Sequence, residues 1–198
     1  MKHQKYRQKL IECYQYKQHN YFKGICTPTD GHVGEDNFKY QIALHRGDTA
    51  DLTFSNLLIN ANYRRFVEEM VPLFNEREII YVVNRLADVE RLPFEVKQSF
   101  EIGSNCMIND YNVAQEVKEY IADNKIEKHI VLCSAASLSN FVIYECFRDN
   151  PNNTFLDIGS CLNPLLNLEG WRHTRGYLTH YWLRSGDKFG DQVDIWKI

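Results

Sequence analysis

The chain has 198 residues, of which 44% are hydrophobic and 25% charged, and its formal net charge is −3. That length and composition suit one core of ordinary size, so a single domain is expected over residues 1–198. A charge this small, with Lys and Arg scattered, excludes a nucleic-acid or anionic-membrane binder recognised by bulk charge.

Taken in chain order, residues 1–20 begin with a polar leader that carries no apolar signal core. The spacing of Tyr6, Leu10, Cys13 and Tyr14 predicts a one-sided helix. Residues 21–51 read as an active-site loop region. Gly24, Pro28, Gly31, Gly34 and Gly47 break any period, with room only for a short helix over 37–45. The apolar run 52–60 encloses Ser55 and Asn56, and it enters a predicted helix over 62–74 with Phe66, Met70 and Leu73 on one face. Ser55, Asn56, Asn60 and Asn62 gather at that entry. A helix cap needs one such group, not four.

Beyond residue 77 a rhythm of strands and helices begins. Glu78 to Asn84 is a buried strand, and Phe94 to Ile102 a second, ending at Gly103-Ser104-Asn105. Asn109-Asp110 is placed to cap a helix holding Val113, Val117, Tyr120 and Ile121. A third strand, His129 to Ser134, ends in the small run Ser134-Ala135-Ala136-Ser137, and a helix through Phe141 and Val142 follows. The last strand, Thr154 to Asp157, ends on a carboxylate followed by Ile158, Gly159 and Ser160. Buried strands alternating with helices predict an α/β fold with a mostly parallel sheet and helices on both faces. Every strand of such a sheet then offers its polar tip to one edge, where ligands bind. A plain polar cap on a strand end is the bland alternative for Asp157.

No run approaches the roughly 18 apolar residues of a membrane span, so no span is expected. The six cysteines are widely separated, without a CxxC pair or clustered His, which predicts reduced thiols in a cytoplasmic compartment and no structural zinc.

Several chemistries lack their motifs. There is no GxxxxGK[ST] phosphate loop and no GxSxG elbow. Leu156-Asp157-Ile158-Gly159-Ser160 resembles an adenosylmethionine-binding turn. That turn opens its fold, however, and here only residues 162–198 follow Cys161. A Cys-His nucleophile could be assembled from Cys26 with His32 or His45, but nothing marks the thiol as activated. Sugar transfer from a nucleotide donor fits the residue types better. It needs a carboxylate to take the acceptor proton, cationic or metal neutralisation of a leaving diphosphate, and neutral groups for sugar hydroxyls. Asp30, Glu35, Asp36, Asp48 and Asp157 offer carboxylates. Ser55, Asn56, Asn60, Asn84, Asn105 and Ser134 offer neutral hydrogen bonds, and His173 and Arg175 suit a phosphate.

Phe155 to Pro164, with Arg175-Gly176-Tyr177-Leu178 and the earlier Ser55-Asn56 and Asn60-Ala61-Asn62-Tyr63, resembles the GT-D type glycosyltransferases over residues 24–178. That group was long described as a domain of unknown function in bacterial glycan clusters. The resemblance implies a Rossmann-like fold, a nucleotide-sugar donor, a glycan or glycoconjugate acceptor and a divalent metal, manganese. The family's late D-x-G motif is matched by Asp157-Ile158-Gly159, which makes Asp157 a catalytic residue and Gly159 and Ser160 part of the donor wall. Ser160 stands where the best-described members carry His. The family's Asp-x-Glu metal motif is met by Asp30-Gly31-His32, where His replaces Glu. Asp30 and His32 are thus the implied metal ligands, with Asp30 also catalytic, and His is an acceptable manganese ligand. Ser55, Asn56, Asn60, Asn105, Ser134 and Arg175 are the implied donor contacts. A second Asp-x-Glu, Asp88-Val89-Glu90, reads as a solvated turn. The alternative to an enzyme is a non-catalytic nucleotide- or glycan-binding module on the same fold; an adenosylmethionine-dependent methyltransferase is the rival enzyme.

Overall fold

The structure is a computed structural model and describes residues 4–28, 34–46, 48–59 and 62–168. These residues fall into two compact units that divide between Leu58 and Ile59.

The first unit opens with α1 (Gln4–Gln15), which buries Tyr6 and Cys13. Strands β1 (Lys23–Ile25) and β2 (Leu52–Phe54) pair in parallel, with Ile25 opposite Phe54. Parallel strands need a crossover, and α2 (Gly34–His45) lies within it. Residues 21–51 are therefore more regular than the sequence suggested: they hold a strand and a twelve-residue helix rather than a loop with a short helix at 37–45. Glu35 and Asp36 sit in the first turn of α2 and His45 in its last, as the helix dipole favours. The Gln41 side chain accepts the Cys26 N–H at 2.8 Å and ties α2 to β1. Gly24 is required by a close approach, because a Cβ there would meet the Ser55 backbone at 3.1 Å. His45 is fully buried, with Nε2 2.9 Å from the Asp48 carbonyl.

The second unit begins with one helical run whose hydrogen bonding changes along its length. It passes from α3 (Tyr63–Arg65) through a π turn (Phe66–Met70) to a 3-10 turn (Val71–Glu76). The buried residues are Tyr63, Phe66, Val71 and Phe74. The expected face of Phe66, Met70 and Leu73 is corrected by the π turn. It inserts one residue per turn, so the buried step after Phe66 is five, and Leu73 is left 52% exposed.

Four parallel strands follow: β3 (Ile79–Asn84), β4 (Val96–Ile102), β5 (Ile130–Cys133) and β6 (Thr154–Asp157), in the spatial order β4-β3-β5-β6. Helices α4 (Cys106–Asn109) and α5 (Val113–Asp123) connect β4 to β5, and α6 (Ser137–Asp149) connects β5 to β6. Both crossovers step the same way across the sheet, which places α5 and α6 on one face, packed against each other. Ile79 to Val83 and Ile130 to Cys133 are buried at every position, so both faces of the central strands are covered. Each fully buried aliphatic side chain there stabilises by about 1.5–3 kcal/mol. A second group of buried residues holds the helical run, the β3–β4 connection and the turn after β6 together. In it Tyr63 donates its buried hydroxyl to the Cys161 carbonyl at 3.0 Å, Phe74 meets Phe94 edge-on, and the Asp88 N–H bonds the Leu166 carbonyl. This is the Rossmann-like α/β architecture the sequence predicts, and every strand pair described is parallel. Among the described residues no helix is long and apolar enough to cross a membrane.

Asn109 and Asp110 do not cap α5. Asn109 ends α4, and the Asp110 carboxylate accepts the Gly103 N–H at 2.8 Å. Asp88 and Glu90 are exposed at a 3-10 turn (Val89–Arg91), as a solvated turn should be.

Candidate functional site

The sheet order reverses once. From β3 the chain steps to β4 on one side, then crosses back over β3 to β5 and on to β6. In open α/β sheets the crevice at such a reversal, beyond the carboxyl ends of the strands, is where ligands bind. Here it lies between the ends of β3 and β5.

Ser134 stands at that point. Its N–H bonds the Val82 carbonyl at 2.8 Å, extending the ladder one residue beyond β5, and its hydroxyl lies 2.8 Å from the Tyr81 hydroxyl. The chain then turns sharply into α6 through Ala136, a non-glycine residue at φ 47°, ψ −134°. Backbone of this kind persists only where its surroundings enforce it. The turn is fastened by the fully buried Ser139, whose Oγ accepts the Ala135 N–H, while the Cys106 thiol donates to the Ala135 carbonyl.

Asp157 is in register with Cys133 on the neighbouring strand, one residue before Ser134. Its Oδ1 accepts the Gly159 N–H at 3.0 Å, a turn for which Gly159 adopts φ 51°. Burial among neighbouring groups raises its pKa, against the opposing effect of the Gly159 N–H and the Ser139 hydroxyl. The residue is nonetheless exposed by accessible area. A carboxylate at a strand end meets both conditions, since protein surrounds it on the sheet side while water still reaches its oxygens. The exposure keeps the shift modest in its energetic consequence.

Ser134, Asp157, Gly159 and Ser160 thus lie along one edge of the sheet, the Ser134 side chain on the face of Tyr81 and the Asp157 side chain on the face of Cys133, with Ser160 half-buried in the turn after β6. Asn105 stands at the β4 end of the same edge, left-handed at φ 54° and exposed, its carbonyl receiving the N–H groups of Ile108 and Asn109. Ser55 and Asn56 belong to the first unit and follow β2; the Ser55 N–H bonds the Ile25 carbonyl at 2.7 Å. Asp30, His32, Asn60 and Arg175 lie outside the described residues. Among the described residues no group of three or more His, Cys, Asp and Glu side chains is arranged to hold a metal.

Sequence reasoning missed Ser139. It lies five residues beyond Ser134 with no motif around it, and only the turn at Ala136 brings it under Asp157. It also missed Arg85 and Asp110, which meet beside Gly103 at the ends of β3 and β4. The one available signal was position, since Arg85 is the first residue past β3.

No protein-family model matches this chain, and no curated protein or solved structure is similar to it.

Proposed function

We propose that this chain is a glycosyltransferase that moves a sugar from a nucleotide-sugar donor to a glycan or glycoconjugate acceptor. The observation that carries the reading is the Asp157 carboxylate at the carboxyl end of β6, in register with Cys133 on β5, the strand that borders the reversal of strand order. A carboxylate whose pKa is raised is a stronger base than an ordinary Asp and is suited to take the acceptor hydroxyl's proton as it attacks. The Gly159 N–H and the buried Ser139 hold that carboxylate in one orientation, which is what positioning for proton transfer requires. Ser134, Asn105 and Ser160 supply neutral groups along the same edge for donor hydroxyls. A divalent ion held by Asp30 and His32 would neutralise the leaving diphosphate, with Arg175 as a further cation, and Ser55, Asn56 and Asn60 complete the donor contacts. All six cysteines are buried, and a reducing, cytoplasmic location is part of this reading.

A thermal-shift panel of uridine- and guanosine-diphosphate sugars, with and without Mn²⁺ and with adenosylmethionine alongside, tests the proposal. Stabilisation by one nucleotide sugar, followed by release of its nucleoside diphosphate, supports the transferase. Binding without any turnover over a broad acceptor panel points instead to a binding module. Stabilisation by adenosylmethionine alone contradicts both.

A further inference from the structure

We propose a further site at the ends of β3 and β4, on the same sheet edge: a pocket that binds an oxyanion through Arg85. The pocket has a volume of about 350 Å³ and is lined by Asn84, Arg85, Leu86, Gly103, Ser104 and Asp110, with Asn109 at its side. It lies two to three strands from β6, roughly 10–14 Å across the sheet, and stands whether or not Asp157 serves a transferase.

Several hydrogen-bonding groups of the pocket are already used. Asn84 accepts the Leu86 N–H on Oδ1, which turns its amide nitrogen the other way. The Asp110 Oδ2 accepts the Gly103 N–H, and Oδ1 lies 3.7 Å from the Arg85 Nη2. That distance orients the guanidinium by charge but is too long for a hydrogen bond. Among the described residues the Arg85 guanidinium donates no hydrogen bond, and it carries five N–H groups. The unused donors are the guanidinium, the Asn84 amide and the Ser104 hydroxyl; the one carboxylate oxygen beside them, Asp110 Oδ1, faces the guanidinium and offsets part of its charge. A convergent set of donors around a permanent cation recognises a phosphate or a carboxylate, and guanidinium does so with two parallel bonds.

Gly103 is part of the device. A Cβ at this position would lie 2.8 Å from the Arg85 Nη2, so only glycine lets the guanidinium rest across the strand end. Leu86, 77% exposed, gives the mouth an apolar wall, which suits an oxyanion carried on an organic body.

Titration of the full chain with inorganic phosphate, acetate and glucose, followed by amide and Arg Nε–H NMR shifts, tests the site. Saturable shifts are expected at Arg85, Gly103 and Ser104 with phosphate or acetate. Stronger phosphate binding assigns phosphate esters, stronger acetate binding assigns carboxylates, and either supports an oxyanion site. Arg85→Ala should weaken binding about tenfold or more, the worth of one charged hydrogen bond. Arg85→Lys should fall between, because a point charge replaces the fork. Gly103→Ala should weaken binding while the chain stays folded, since the group it displaces is the end of a half-exposed side chain. No saturation with either anion, unchanged affinity in Arg85→Ala, or a stronger response to glucose overturns the proposal.

Discussion

The hydroxyls of Tyr81 and Ser134 lie 2.8 Å apart and join β3 to β5 where the strand order of the sheet reverses. Tyr81 is fully buried, and burial pushes its phenol well above the ordinary range, so it stays a neutral donor and acceptor. Ser134 is half-buried and has access to water. Losing the two partners should therefore cost unequally. Tyr81→Phe should cost about 1 kcal/mol, whereas Ser134→Ala strands a buried hydroxyl and should cost about 1–3 kcal/mol. Urea denaturation of both variants and of the double variant checks this. The double variant should lose less than the sum, because the two residues share one interaction.

The π turn makes a claim about register. Phe74 is 2% exposed and its ring meets Phe94 at 5.2 Å, while the adjacent Leu73 is 52% exposed. Phe74→Ala should cost about 3–5 kcal/mol, and Leu73→Ala about 0.5 kcal/mol or less. The reverse ranking would restore the simple helical face with Leu73 inward.

The thiols offer a test of the core. Cys133 and Cys146 are fully buried, and burial raises both, Cys146 to about 12. Thiolate is the reactive form, so both should resist iodoacetamide in the native chain until it unfolds. Mass spectrometry of a labelling time course reads this directly, and prompt labelling of Cys133 would contradict the packing of β5.

Much of this fold is legible in the sequence, for a physical reason. The central strands β3 and β5 are buried on both faces, so they appear as unbroken apolar runs. The amphipathic spacing of α5 follows from one buried stripe of Val113, Val117 and Ile121. Strands β1 and β2 have three residues each, too few to show alternation, and the glycines around them hide α2. The π turn is invisible because it changes hydrogen bonding without changing composition. At the site, Ser134 and Asp157 are legible because they end strands. Ser139, Arg85 and Asp110 are not, because each acquires its role from a residue distant in sequence or across a turn.

Asp157 also predicts a dependence on pH. Its folded pKa is raised above the ordinary 3.8, so the folded state binds more protons than the unfolded state between those two values. The stability it contributes is full below the ordinary value and is lost as pH rises through the folded one. Asp157→Asn cannot ionise and escapes that loss. Its melting temperature relative to the unsubstituted chain should rise between about pH 3 and about pH 7. A fall over the same range would mean the carboxylate is stabilised in its ionised form.

The central claim is that Asp157 acts on substrate at the sheet edge. The most direct measurement is nucleoside diphosphate release from the nucleotide sugar that stabilises the chain, comparing the unsubstituted chain with Asp157→Asn at neutral pH in the presence of acceptor. Asp157→Asn should bind the donor and melt within a few degrees of the original, yet lose turnover by about a hundredfold or more, the usual worth of a positioned general base. Full turnover by Asp157→Asn, or its unfolding, would contradict the claim and leave Asp157 a structural cap on β6.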